Sequence, residues 1–528
     1  MTGRRANQLR YGALVGLTSP YRASPETITY ALARAKIGPG GRPAGASSPS
    51  LCRMGRRVLI LAAGVGSGHN QAASAVEAAV LAREPDADVH RLDILETTNE
   101  VFNRLYDDAY FQLVSQAPWL VGWGYDNADP PFKLAASPLQ WLEQLNTLSF
   151  VRELRDDDPD VVICTHFLPA RLTSLLIARK QLRASLTVVT TDYDFQGLWL
   201  TAPFHHFFAA REESREYLTS IGIPADRVSA SGIPVRAGLS GPVDEAAVRA
   251  SFGLRPDVPV VLISAGAAGG AYTVQVVRQA LRIGRPFQAV IVCGRNTELK
   301  AEMEQVVAGR EDDVVVLGFT DRMADLMRVA SLFVGKPGGL SSSECMAAGL
   351  PMVIVNPIPG QEVRNADYLL EEGAAVRCNY PTTVGYKIES LLADPDRLAR
   401  MAEAARRVGR PDAGADVART SLSMEGEPLW ISRDAQRAML ANVEEGLAAA
   451  DQEGARRLRT LCEASTGRSL ALVTQAQLEV LSPLPWATSV ELARPMMNAL
   501  RWQPENLDLA STGRWLLGER ETRTLTIR

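Results

Sequence analysis

The chain has 528 residues, 46% hydrophobic and 22% charged, with a formal net charge of -4. That length supports two or three domains with real cores, and the charge gives no electrostatic footprint for a nucleic-acid partner. Six cysteines stand singly, without metal-ligand spacing, which points to a reducing compartment. No apolar run in the sequence approaches the roughly 20 residues of a membrane span, so any membrane contact is expected to be peripheral.

Residues 1–53 are rich in Arg, Ser, Ala, Gly and Pro and carry one acid, Glu26. They read as a disordered tail, or as a segment ahead of a true start at Met54, more than as a targeting segment. From Arg56 onward, short apolar runs alternate with helical stretches. Val58–Ala62, Val89–Leu92, Val161–Thr165, Leu186–Thr190 and His206–Ala209 read as strands buried on both faces. The pattern restarts with Val258–Ser264, Phe287–Cys293, Val314–Leu317, Leu332–Gly335 and Met352–Val355. Continuous apolar strands alternating with helices predict parallel sheets, and two series predict two doubly wound α/β domains. The expected boundaries are 54–238 and 239–411, with Ser231–Pro242 as the linker. Past residue 411 the alternation fades. Residues 412–528 read as an extension of unknown role, with helices over Trp430–Ala449 and Gln452–Cys462.

Each series opens with a strand and a glycine-rich loop, Gly64–His69 and Gly266–Gly270. Ligands of open α/β sheets bind beyond the carboxyl ends of the strands, so two facing domains would share a cleft lined by both loops. The first loop lacks the third glycine of a dinucleotide fingerprint, because His69 stands there, and it lacks the Lys-Ser/Thr ending of a P-loop. It sets an imidazole at a helix start, where the positive helix end favours the neutral, proton-accepting form. A structural histidine is the duller explanation.

The stretch Lys336-Pro337-Gly338-Gly339-Leu340-Ser341-Ser342-Ser343-Glu344 follows a strand run and precedes a helical one. Strand, Gly-Gly turn and helix aim unpaired N–H groups and a helix dipole at one point, which suits a diphosphate. Glu344 lies one turn on, where it could accept from sugar hydroxyls. Ser341-x-x-Glu344 is also the pattern of a capping box. Downstream, Gln361, Glu362 and Asn365 follow a proline-stiffened loop, Asn356–Gly360, and offer amide and carboxylate groups to the same cleft.

These motifs, with Gly318-Phe319-Thr320-Asp321 before them, Gly349-Leu350-Pro351 among them, and Thr191-Asp192-Tyr193, Trp199 and Ser231-Gly232-Ile233-Pro234-Val235 in the first half, resemble monogalactosyldiacylglycerol synthases and processive diacylglycerol glucosyltransferases. The resemblance spans about Arg56 to Arg406. It implies a GT-B fold and inverting transfer of a hexose from a UDP-sugar to a lipid hydroxyl, with no metal required. It places the diphosphate on Lys336 and Gly338–Ser341 (Gly338, Gly339, Leu340, Ser341), bordered by Gly266 and Gly269. It gives ribose to Glu344, uracil to Phe319, and the donor sugar or its phosphates to Gln361, Glu362 and Asn365. His69 would be the base on the acceptor. Gly68, Asp192, Trp119, Trp123 and Trp199 would lie on the acceptor side. Gln196 stands where the family commonly carries a histidine, and glutamine cannot act as a base near neutral pH. Asp192-Tyr193-Asp194 has the look of a metal-binding D-x-D, yet falls in the acceptor half.

Tyr106–Trp123 concentrates aromatic residues that suit either the headgroup level of a bilayer or a buried helix pair. The expected location is the cytoplasmic face of a membrane, held peripherally. Rival readings are a different acceptor, isoprenoid-linked or soluble, a catalytically silent binding module, and a nicotinamide-dependent oxidoreductase.

Overall fold

The protein, seen in a computed structural model, is described over residues 55–64, 68–97, 148–266 and 271–443. The first sheet contains β1 (Arg57–Ala62), β2 (Asp88–Asp93), β3 (Val161–Cys164), β4 (Ser185–Val189), β5 (His206–Ala209) and β6 (Val228–Ala230). The strands are parallel, in the order β2-β1-β3-β4-β5-β6. Helix α1 (Gly68–Arg83) follows β1, α2 (Leu148–Asp157) precedes β3, α3 (Phe167–Ala178) follows β3, and α4 (Glu212–Ser220) follows β5.

After α5 (Glu245–Ser251) comes the second sheet: β7 (Val260–Ser264), α6 (Ala271–Ala280), β8 (Gln288–Val292), α7 (Thr297–Val306), β9 (Val314–Leu317) and α8 (Met323–Val329). It continues with β10 (Leu332–Gly335), α9 (Gly339–Ala348), β11 (Met352–Val355), α10 (Gln361–Glu371) and β12 (Ala375–Cys378). Its strands are also parallel, ordered β12-β11-β10-β7-β8-β9. Helices α11 (Val384–Leu392), α12 (Pro395–Val408) and α13 (Ala413–Leu422) follow, and residues 433–443 are helical.

The two-domain α/β architecture matches the reading from the sequence, and the reason is side-chain alternation. Leu59 and Leu61 enter one core cluster, while Val58, Ile60 and Ala62 enter the cluster on the opposite face. Likewise Val260 and Leu262 separate from Val261 and Ile263. Both faces are covered, so the runs Val58–Ala62 and Val260–Ile263 are apolar throughout. Two strands escaped the sequence reading, β6 and β12, each at a sheet edge. Strand β2 was expected to be buried on both faces. It is an edge strand with mostly exposed or half-buried residues.

Past residue 411 the chain returns to the first sheet. Val417, Ala418 and Leu422 of α13 pack with Val58, Ile60 and Val76. Buried Ser421 Oγ lies 2.9 Å from Thr187 Oγ1 on β4. Leu429 then pairs backbone to backbone with Phe204. This first part of the expected extension therefore belongs to the core of the first half. The linker is also packed: Ile233 and Val235 are buried with Leu254 and Leu262. Residues 1–53, Trp119, Trp123, Gly269 and the extension beyond 443 lie outside the described residues. No helix among the described residues is long and apolar enough to cross a membrane.

Candidate active site

Each sheet has one place where the strand order reverses direction: between β1 and β3 in the first, and between β7 and β10 in the second. Such switch points open a crevice at the carboxyl ends of the strands. The loop before His69 leaves β1 there, and Thr165-His166 leaves β3 beside it. In the second sheet, Gly266 follows β7 and Lys336 follows β10. An open pocket there is lined by Ser264, Tyr272, Thr273, Lys336 and Asn356, among others.

His69 is the second residue of α1. Its Nδ1 lies 3.0 Å from the Thr165 carbonyl and 2.9 Å from Thr191 Oγ1. A carbonyl only accepts, so Nδ1 carries the hydrogen and Nε2 keeps the lone pair. Burial holds the imidazole below its usual titration range, opposed by the fields of Asp192 and Asp93. Asp93, at the end of β2, braces the loop: its Oδ1 accepts from the Gly64 and Leu95 N–H groups at 2.9 and 3.0 Å, and its Oδ2 from Asn70 Nδ2 at 2.7 Å. Sequence reasoning passed over Asp93.

It also passed over His166. This ring meets His69 edge to face, with centroids 4.6 Å apart. His166 caps α3, its Nδ1 accepting from the Leu168 N–H at 3.1 Å. Burial keeps it neutral well below the usual histidine range. A histidine just before an apolar helix start was the available signal. Gln196, the expected departure from the family pattern, caps the short helix Gly197–Trp199 through Oε1 and Leu198 N–H at 2.8 Å. Trp199 is buried against Phe167 and His166. It is a wall of the histidine pocket, not an open platform for an acceptor.

Helix α9 starts with Gly338 as N-cap in extended conformation and no side-chain cap. Ser341 lies inside the helix, so the capping-box reading of Ser341 and Glu344 does not hold. Glu344 is 3% exposed. Its carboxylate accepts from Arg236 Nε, and Arg236 NH2 donates to Gln71 Oε1 at 2.6 Å. Instead of standing open to a sugar, Glu344 faces a linker arginine, because a buried carboxylate needs a partner. Leu340 and buried Ser342 complete the first turn. Phe319 is 65% exposed, with the Arg295 guanidinium 5.3 Å from its ring centroid.

The two halves meet at Thr191 to Asp194. A Cβ placed on Gly339 would lie 1.9 Å from the Thr191 carbonyl oxygen, so only glycine allows this approach. A Cβ on Gly68 would lie 3.8 Å from Leu340 Cβ. Asp192 is buried. Gln361 Nε2 donates to its Oδ2, and Asn365 Nδ2 to its Oδ1 at 3.1 Å. Asn365 Oδ1 accepts from the Tyr193 N–H at 3.0 Å. Ser343 Oγ donates to Tyr193 OH at 3.0 Å, and Arg364 and Arg211 both reach Asp194, at 3.0 and 3.3 Å. Asn365 was expected to face the donor sugar or its phosphates. It is fully buried and joins the halves. Glu362 Oε2 accepts from the Ile358 N–H at 2.7 Å; burial raises its carboxyl, opposed by that bond and by Lys336. Asp192 spends both carboxylate oxygens on amides, which is a poor start for a metal ligand; among the described residues no cluster of acids, histidines and cysteines has metal-holding geometry.

The model of monogalactosyldiacylglycerol synthase matches residues 69–235, and that of the glycosyltransferase family 28 C-terminal domain matches residues 260–417. The chain is a glycosyltransferase whose two halves match these two family models. Its relatives include the processive diacylglycerol beta-glucosyltransferases of Bacillus mycoides (strain KBAB4), 29% identical, and Bacillus cereus (strain 03BB102), 28% identical. Each alignment runs over 370 residues, 70% of this chain and 93% of the relative. Among solved structures, MurG of Acinetobacter baumannii is 19% identical, with a TM-score of 0.47 over 70% of this chain and 100% of that one. The first match runs from α1 through β6 and the second from β7 into α13; the fold is GT-B, with two parallel six-stranded sheets.

Proposed function

We propose that this glycosyltransferase moves a hexose from a UDP-sugar to diacylglycerol or a similar lipid hydroxyl, with inversion. The names of its relatives support the acceptor class and the sugar. The observation that carries the reading is the position of His69: a neutral imidazole with Nε2 unprotonated, on a helix start that abuts the N-terminus of α9. A base and an anion-binding helix start belong on opposite sides of one reacting carbon.

In this reading the acceptor oxygen attacks the anomeric carbon while its proton passes to His69 Nε2. The bond from that carbon to the diphosphate oxygen breaks, and UDP departs with the electron pair. The backbone of Gly338–Ser341 and the Lys336 ammonium stabilise its charge, a preorganised arrangement that requires no metal. Gly266 borders the diphosphate, and exposed Phe319 offers a face to uracil. A ribose would share the Glu344 carboxylate with Arg236. The protein would act at a membrane surface, held peripherally.

The test is UDP release from UDP-glucose, UDP-galactose and UDP-N-acetylglucosamine with diacylglycerol-containing vesicles, with and without EDTA. Lipid-dependent release from one donor, insensitive to EDTA and lost in His69→Ala, is the expected result. UDP binding without release would move the acceptor to another class. No UDP binding would end the reading.

A further inference from the structure

The base and the groups that set its environment do not come from the same half of the molecule. His69 belongs to α1 on the first sheet, and Asp192 follows β4 on that sheet. The two amides that hold Asp192 belong to α10 on the second. We propose that Gln361 and Asn365 are positioning residues for the base: they fix the Asp192 carboxylate beside His69, so that the base is complete only while the two halves are in contact. This rests on the reading of His69 as the base.

Three observations carry it. First, both oxygens of a fully buried carboxylate are engaged by side-chain amides from the opposite half. Hydrogen bonds donated to both oxygens favour the charged form. Second, Asn365 is bidentate across the seam, also accepting from the Tyr193 N–H, which fixes the peptide that follows Asp192. Third, Gly339 lets the second half come within contact of the Thr191 carbonyl, and the Thr191 hydroxyl touches His69 Nδ1. One short segment, Thr191–Tyr193, therefore links the imidazole to the opposite half in three places.

Burial by itself drives Asp192 toward the neutral acid and His69 toward the neutral imidazole. The amides of Gln361 and Asn365 pull Asp192 back toward the carboxylate, and that carboxylate raises the affinity of His69 for a proton. The other titratable or charged groups around the pair are Asp93 and His166 on the His69 side, and Asp194 and Glu362 on the Asp192 side, with Arg211 and Arg364 on Asp194 and Lys336 near Glu362. If the halves part, Asp192 loses its donors, and the imidazolium formed during transfer loses its counter-charge. Proton abstraction is thereby confined to the closed enzyme.

The test is the titration of His69 by NMR of the imidazole nitrogens in the full chain, which holds five histidines, alongside kcat and UDP affinity. The variants are Gln361→Leu, Asn365→Leu and Asp192→Asn. The His69 midpoint is expected to fall by about one pH unit in each, the effect of a lost opposite charge at close range. The rate constant for transfer should fall with it while UDP affinity holds. Added to Asp192→Asn, Asn365→Leu should shift the midpoint no further. An unmoved midpoint in a folded Gln361→Leu would overturn the proposal, as would a further shift in the double variant. Gln361→Leu keeps the measurement available if Asn365→Leu misfolds. If wild-type protein transferred no sugar, the function reading would fail, and the titrations would still decide the positioning.

Discussion

Gly339→Ala tests the contact between the halves with a single methyl group. The added Cβ would lie 1.9 Å from the Thr191 carbonyl oxygen, 2.9 Å from its carbon and 3.1 Å from Asp192 Oδ1. Real Cβ contacts essentially never fall below 3.0 Å, so the oxygen must retreat by about 1.1 Å, or the halves must part by as much. The obstacle is backbone, held by Tyr193 and Asn365 on one side, and it cannot rotate away. The helix itself loses nothing, since alanine is the better helix former by about 1 kcal/mol in helix interiors. Overpacking of this kind costs about 1–3 kcal/mol, which outweighs that gain, so the fold should survive with a modestly lowered melting temperature. Displacement of about 1 Å at a reacting pair costs roughly a hundredfold in rate. The assay is sugar transfer against UDP binding: kcat is expected to fall about a hundredfold while UDP affinity changes by less than about tenfold. A Gly339→Ala enzyme that transfers at the wild-type rate would refute the closed contact as the reacting arrangement. A variant that loses UDP binding and transfer together would place the damage in the diphosphate site instead.

Three other predictions follow from single contacts. With His69 as the proposed base, its neutral form is the active one, and burial lowers its titration from 6.5, so kcat/KM should stay level through neutral pH and decline only below that value; a decline centred above 7 would contradict the buried imidazole. Arg236→Met leaves Glu344 buried without its partner and should cost about 3–5 kcal/mol. Burial already raises Glu344 above 4.5, and removing Arg236 raises it further, so the native state binds the proton more tightly than the unfolded chain. The loss should be small near pH 4 and grow as pH climbs through the raised value, as melting at several pH values would reveal. Leu422→Ala, in the helix that returns to the first sheet, should lower stability by about 2–4 kcal/mol in denaturant unfolding; a change under about 0.5 kcal/mol would show α13 to be peripheral to that core.

Eight of the ten strands read from the sequence lie inside a sheet, where residues covered on both faces are mostly apolar and leave a continuous signal. The Lys336–Gly339 turn was legible for a related reason. Local backbone chemistry at a strand end is encoded in adjacent residues. Strands β6 and β12 were missed because short edge strands carry a weaker apolar signal, with half-buried residues in each.

What the chain's order could not reveal was partnership. Glu344 read as an open acid until Arg236, 108 residues away, was seen to cover it. Asn365 read as a ligand of the donor sugar or its phosphates until Asp192, 173 residues away, was seen to hold it. Thr187 and Ser421 meet across 234 residues and bring α13 home to the first sheet. His69 and His166, on separate strand ends, touch only because β1 and β3 are neighbours. The sequence by itself determined the strands, their loops and the kinds of chemical group at the cleft. Only the tertiary structure decided which of those groups face outward and which hold one another, because a buried polar atom takes its role from its partner and not from its neighbours in the chain.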